Sequence, residues 1–168
     1  LLIYLVGRRF FSPNVGILAA FFLAFSPWAI REAHFSTTET MLVFFLLSLL
    51  LVGHRIMTTK KLYTLSLFCC IAGITTGFAL GAKTTSLLFL IIPLSSLWIT
   101  SHAIRHRIFM TFILLLFSTI LFLLTSPYTI LDYPHFLESM QYETGVALGR
   151  FSVPYTLQFF QTIPFLYQ

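Results

Sequence analysis

In residues 31–40, REAHFSTTET, an arginine, two glutamates and a histidine sit between two runs of nearly pure hydrocarbon, VGILAAFFLAF and MLVFFLLSLLLV. Arg31 and His34 are three residues apart, share a helical face and so can point into one cleft. Glu39 opens the next apolar run. A carboxylate there serves either acid–base chemistry or the far end of a capping box, Ser36-Thr37-Thr38-Glu39, with Arg31 pairing to Glu32 or Glu39. Lys83 is a single cation in a turn of small residues, GFALGAKTTSLL, followed by Thr84, Thr85 and Ser86. A lysine and hydroxyls at a helix start suit a phosphate, whereas a lysine snorkelling to the interface needs no ligand. Tyr128 and Asp132, in SPYTILDYPHFLESMQYETG, are lesser candidates in an interfacial segment with aromatics at the membrane edge. His102 and His106 have a spacing that can hold zinc, but no carboxylate or thiol completes the set and Arg105 and Arg107 repel a cation. No metal ligand is assigned, and a divalent-metal requirement stays open.

Helices in a membrane must carry these groups. Of 168 residues 58% are hydrophobic and only 9% charged, and 20 are phenylalanine. Mean hydropathy is +0.92. A soluble domain of this size carries about a quarter charged residues, so the fold class is all-α, a polytopic transmembrane helical bundle. The net charge of +5 carries no nucleic-acid signal once the bases are seen to cluster in loops between spans. Cys69 and Cys70 are adjacent inside a span and read as small buried hydrophobes.

Long apolar runs give about six spans. They are residues 1–7, the tail of a helix closed by Arg8 and Arg9, then 13–30 behind a Ser12-Pro13 start, and a short third at 39–53. Residues 62–82, 84–101 with Pro93 inside, and 108–125 complete the set. Residues 1–125 are then a transmembrane core, 126–152 an external loop with an interfacial segment, and 153–168 the start of a further membrane or interfacial helix.

One set of loops carries Arg8, Arg9, Arg55, Lys60, Lys61, Arg105 and Arg107; the other carries only Arg31, Lys83 and Arg150 among its bases. The positive-inside rule puts the first set in the cytoplasm. Glu32, Glu39, Asp132, Glu138 and Glu143, all the acids of the chain, then fall outside. No ionisable residue lies at the centre of a span, which argues against an ion-coupled transporter.

The ordered set FSPWAIREAHFSTTETMLVFFLLSLLL, GITTGFALGAKTTSLLFLIIPL and SPYTILDYPHFLESMQYE resembles the GT-C superfamily of membrane glycosyltransferases. Within it the chain is most similar to the family 39 group of protein O-mannosyltransferases and lipid A aminoarabinose transferases. The resemblance implies transfer of a sugar from a polyprenyl-phosphate carrier to a protein, lipid or glycan acceptor on the external face of the bilayer. It implies that Glu39, a glutamate where relatives often carry aspartate, is an auxiliary acid–base or acceptor-orienting group. Lys83 and Thr84 would meet the donor phosphate, and Arg31, His34, Tyr128 and Asp132 would contact substrate. The principal catalytic acid of the family sits in a first external loop that precedes Leu1, so the chain reads as an internal fragment, inactive by itself. A lipid-linked-sugar flippase or other transporter and a non-catalytic membrane subunit are the competing readings.

Overall fold

A computed structural model describes residues 1–35, 37–100 and 102–147 of the chain. Ser36 of the expected capping box, Arg150 and the expected last segment at 153–168 lie outside them. Among the described residues all regular structure is helical, in two compact units, one spanning Leu1–Ser126 and one starting at Pro127.

In the first unit α1 (Leu2–Phe10) ends on Arg8 and Arg9, cations that suit its terminal carbonyls. α2 (Pro13–Ala24) starts as the sequence predicts, with Pro13 in the first turn and the Ser12 hydroxyl accepting from the Val15 N–H at 3.3 Å. The two helices touch where both lack side chains. A Cβ on Gly7 would stand 2.7 Å from the Gly16 Cα.

The second expected span, 13–30, is not one helix. α2 stops at Ala24, and α3 (Pro27–His34) leaves at 60° to it. Pro27 has no N–H for the Leu23 carbonyl and its ring crowds that position. The Ser26 hydroxyl then accepts from the Ala29 N–H at 3.4 Å and starts a new helix.

The third span is longer than expected. α4 (Thr38–Thr58) runs 21 residues, through His54 and Arg55. Arg55 stands in the last turn, where a cation is favourable. The hydroxyls of Thr58 and Thr59 donate to the His54 and Arg55 carbonyls at 3.0 and 2.6 Å, finishing the helix.

α5 (Leu62–Ala82) follows, and then the expected fifth span, 84–101, is again divided. Thr84–Leu90 winds as a 3-10 helix and α6 (Ile91–Ile99) as an α-helix. Pro93 cannot donate to the Phe89 carbonyl and its ring crowds it, so α-winding has no support one turn earlier. α7 (Ile104–Thr125) closes the unit.

Leu49 and Ile56 of α4, Leu65, Cys69 and Ala72 of α5, Leu97 of α6, and Met110 and Leu114 of α7 form the buried core. α5 packs most extensively on α7, through Gly73, Gly77 and Gly81, spaced one turn apart. A Cβ at Gly73 would stand 2.5 Å from the Leu114 carbonyl oxygen, and one at Gly77 2.7 Å from that of Ser118. Close approach over small residues is how helices gain packing where lipid removes the hydrophobic drive. The outer faces carry Phe22, Phe44, Phe112 and Leu124, all exposed, as a lipid-facing surface requires.

Three described helices, α4, α5 and α7, are long and apolar enough to cross a membrane, or four spans if bent α2–α3 counts as one. The expected six therefore reduce to three or four. The missing ones are α1, with 9 residues, and the 16-residue Thr84–Ile99. At one end of the unit a histidine and an arginine tie connections together. His102 Nε2 lies 3.0 Å from the Thr59 carbonyl, and Arg107 donates to the carbonyls of His102 and Trp98 at 2.7 and 2.9 Å.

The second unit contains α8 (Tyr128–Leu131) and α9 (Tyr133–Ala147) among the described residues.

Candidate functional site

Glu39 and Lys83 are 44 residues apart in the chain and touch in the fold. The Lys83 ammonium donates to Glu39 Oε1 at 2.5 Å. Glu39 stands in the first turn of α4, where a carboxylate is favoured by the helix dipole. Lys83 ends α5 in an extended conformation, donating its backbone N–H to the Ala79 carbonyl. α4 and α5 pack side by side, so the start of one meets the end of the next. The Glu39 carboxylate is therefore engaged with a cation across the bundle. Both side chains keep access to solvent, 43% exposed for Lys83 and 37% for Glu39.

A second cluster fixes α3 to the start of α4. Glu32 is only 8% exposed although it is charged. Its Oε1 accepts from Arg31 at 3.0 Å (Nε) and 2.6 Å (Nη2), and its Oε2 accepts from the Thr37 hydroxyl at 2.7 Å. The Thr37 N–H also donates to the Glu32 carbonyl at 3.2 Å. With these bonds, led by that from Thr37 and then that from Arg31, the Glu32 carboxyl is held below the ordinary carboxylate range. Thr37 immediately precedes α4 and spends its hydroxyl on Glu32 rather than on capping that helix. The cluster thus sets the position of the turn that carries Glu39.

The other expected site residues fall as follows. Arg31 is exposed and bound to Glu32, one of the two partners the sequence offered. His34 stands in the last turn of α3, exposed, its ring edge-on to Phe35 at 5.4 Å. Thr84 begins the 3-10 helix directly after Lys83. Two turns of chemistry there differ from expectation: the hydroxyls head a short 3-10 segment rather than an α-helix, and Ser86 is fully buried. Its Oγ has no hydrogen-bond partner among the described residues. Tyr128 and Asp132 belong to the second unit, where Asp132 Oδ1 lies 3.0 Å from His135 Nδ1. Among the described residues no three potential ligands gather around a metal position.

Glu32 and Thr37 were not among the residues the sequence singled out as chemistry. The available signal was a carboxylate beside an arginine in an apolar context, five residues before a threonine at a helix start.

Comparison with the curated proteins and with the solved structures gives no match. A family model described as dolichyl-phosphate-mannose-protein mannosyltransferase matches residues 1–131. That range takes in α1 to α7, with both clusters. With membrane-length apolar helices and charged groups confined to their ends, the chain is that of an integral membrane protein of the GT-C type of glycosyltransferase and belongs to the dolichyl-phosphate-mannose-protein mannosyltransferase family.

Proposed function

We propose that the chain forms part of a glycosyltransferase that takes a sugar from a polyprenyl-phosphate carrier and delivers it to an acceptor at the external end of the bundle. The observation that carries this reading is the Lys83–Glu39 pair, a cation and a carboxylate from different helices, half exposed at one end of the spans. On the same reading residues 1–125 are the membrane core and 126–152 an external loop. The distribution of bases supports the external placement, since Arg8, Arg9, Arg55, Lys60, Lys61, Arg105 and Arg107 gather at the other end.

The chemistry divides between the two partners. The donor phosphate competes with Glu39 for Lys83, because a phosphate takes up a lysine ammonium at least as well as a carboxylate does. Its arrival frees the Glu39 carboxylate to orient the acceptor group or accept its proton. The acceptor oxygen or nitrogen then bonds to the anomeric carbon as the bond from that carbon to the phosphate oxygen breaks. The electron pair leaves on the phosphate, where Lys83 offsets the growing charge. Thr84, Arg31 and His34 are proposed as further substrate contacts in the first unit, and Tyr128 and Asp132 as contacts that the second unit offers by itself. The apolar carrier tail reaches the site through the lipid, past the exposed phenylalanines of the helices.

The test is release of polyprenyl phosphate by the full-length protein in detergent, supplied with polyprenyl-phosphate sugars and mixed acceptors. Lys83→Ala should lower release at least about 10-fold, the value of one charge-assisted hydrogen bond. Glu39→Gln should lower transfer while donor binding is kept. Normal release from both variants at normal protein level refutes the assignment. In a parallel assay on the protein in sealed vesicles, donor movement across the bilayer without release indicates a flippase instead.

A further inference from the structure

We propose that a cavity at the opposite end of α4 from Glu39 binds the phosphate headgroup of an anionic membrane phospholipid. Arg8 and Arg9 from the end of α1, and Arg55 from the last turn of α4, line it together with Leu5, Leu51 and Val52. Its volume is about 440 Å³, within the range of small-molecule sites. Arg55 lies 16 residues beyond Glu39 on one continuous helix, about 24 Å away at the α-helical rise. The cavity is therefore separate from the Lys83–Glu39 site.

Three features point to this ligand. First, within the first unit no carboxylate is left to neutralise these cations. The first unit contains two carboxylates, Glu32 and Glu39, and these pair with Arg31 and Lys83. Second, guanidinium groups suit phosphate oxygens, to which they present planar forks of donors. Third, Leu5, Leu51 and Val52 form an apolar wall beside the charges. A free phosphate has no use for such a wall, whereas the glycerol and first methylenes of a lipid are stabilised by it. Basic residues at helix ends need no ligand to be favourable, since each cation suits its own helix carbonyls. That effect asks for neither a shared cavity nor an apolar lining.

The experiment uses the full-length protein in a neutral detergent, with bound lipid counted by native mass spectrometry after addition of phosphatidylglycerol or phosphatidylcholine. Phosphatidylglycerol should be retained and phosphatidylcholine lost. The double variant Arg8→Gln/Arg55→Gln should lower phosphatidylglycerol retention at least about 10-fold. The pair Lys60→Gln/Lys61→Gln, which removes the same charge from the same end outside the cavity, should change it less than 2-fold. Leu51→Trp keeps all three cations and fills the apolar wall, and it too should lower retention. Equal losses in the two double variants would reduce the effect to a diffuse positive field and overturn the proposal. So would unaltered retention in Leu51→Trp, displacement by millimolar inorganic phosphate, or preferential capture of polyprenyl phosphate.

Discussion

Gly77 offers the sharpest test of how the bundle is held together. It lies on the face of α5 that meets α7, midway between Gly73 and Gly81. A Cβ added there would stand 2.5 Å from the Leu121 Cβ, 2.7 Å from the Ser118 carbonyl oxygen and 3.2 Å from the Phe122 nitrogen. Comfortable separations begin near 3.5 Å, so α7 must retreat by about 1 Å to admit one methyl group. Two of the three atoms are backbone and cannot turn aside. Overpacking of this kind costs about 1–3 kcal/mol, and the obstruction by backbone places Gly77→Ala in the upper half of that range. Alanine returns about 1 kcal/mol through its better helix propensity. The net expectation is a loss of about 1–2 kcal/mol, with a larger loss for Gly77→Leu. Unfolding of the full-length protein in mixed micelles, followed by circular dichroism, measures it. Phe78→Leu, one residue on and 42% exposed on the outer face, is the control and should stay within about 0.5 kcal/mol of the parent. If Gly77→Ala proves as stable as the parent or more so, the helices do not approach closely there and the packing argument fails.

The remaining expectations concern the polar groups. Lys83→Ala should cost below about 1 kcal/mol of stability, because both partners of its ion pair are more than one-third exposed and screened by solvent. A large loss in the same micelle assay would make the pair structural. Glu32 has a depressed pKa, so its contribution to stability is fully present above the ordinary carboxylate range and is lost only as pH falls through the lower folded value. Unfolding measured from pH 7 down to pH 3 should show this acid component in the parent and lack it in Glu32→Gln; a loss already complete at pH 5 would contradict the bonding from Thr37 and Arg31. Ser26→Ala should destabilise by about 1 kcal/mol through loss of the α3 cap. No change would mean that Pro27 alone starts that helix.

Much of the architecture is legible in the sequence, and the differences share a cause. The helical class and the apolar stretches follow from composition and run length. Ser12-Pro13 predicts a helix start, and α2 begins there. The same dipeptide at Ser26-Pro27 lay inside an apolar run, where hydropathy outweighed it, and there the helix breaks. The expected third span stops at residue 53, before the polar pair His54 and Arg55, although cations suit the last turn of a helix. Pro93 is plain in the sequence, yet its effect falls on residues before it, as 3-10 winding. At the candidate site, the alternation of spans put Glu39 and Lys83 on the same side of the bundle. Their contact was not legible, since neighbour choice among helices depends on side-chain volumes along the whole of α4 and α5. The meeting of Arg8, Arg9 and Arg55 around one cavity was hidden for the same reason: counting charges per loop locates a side, not a convergence.

The 3-10 segment also sets the mechanics of Lys83. Its seven residues rise about 2.0 Å each instead of 1.5 Å, so Thr84–Leu90 is about 3.5 Å longer than the same residues would be as α-helix. Because Pro93 denies the preceding turn its α-helical support, this extra length is built into the fold, and it carries the chain from Lys83 to the buried Pro93 and Leu97 of α6. The reach of the cation is thus set by the pitch of a helix rather than by the length of a loop.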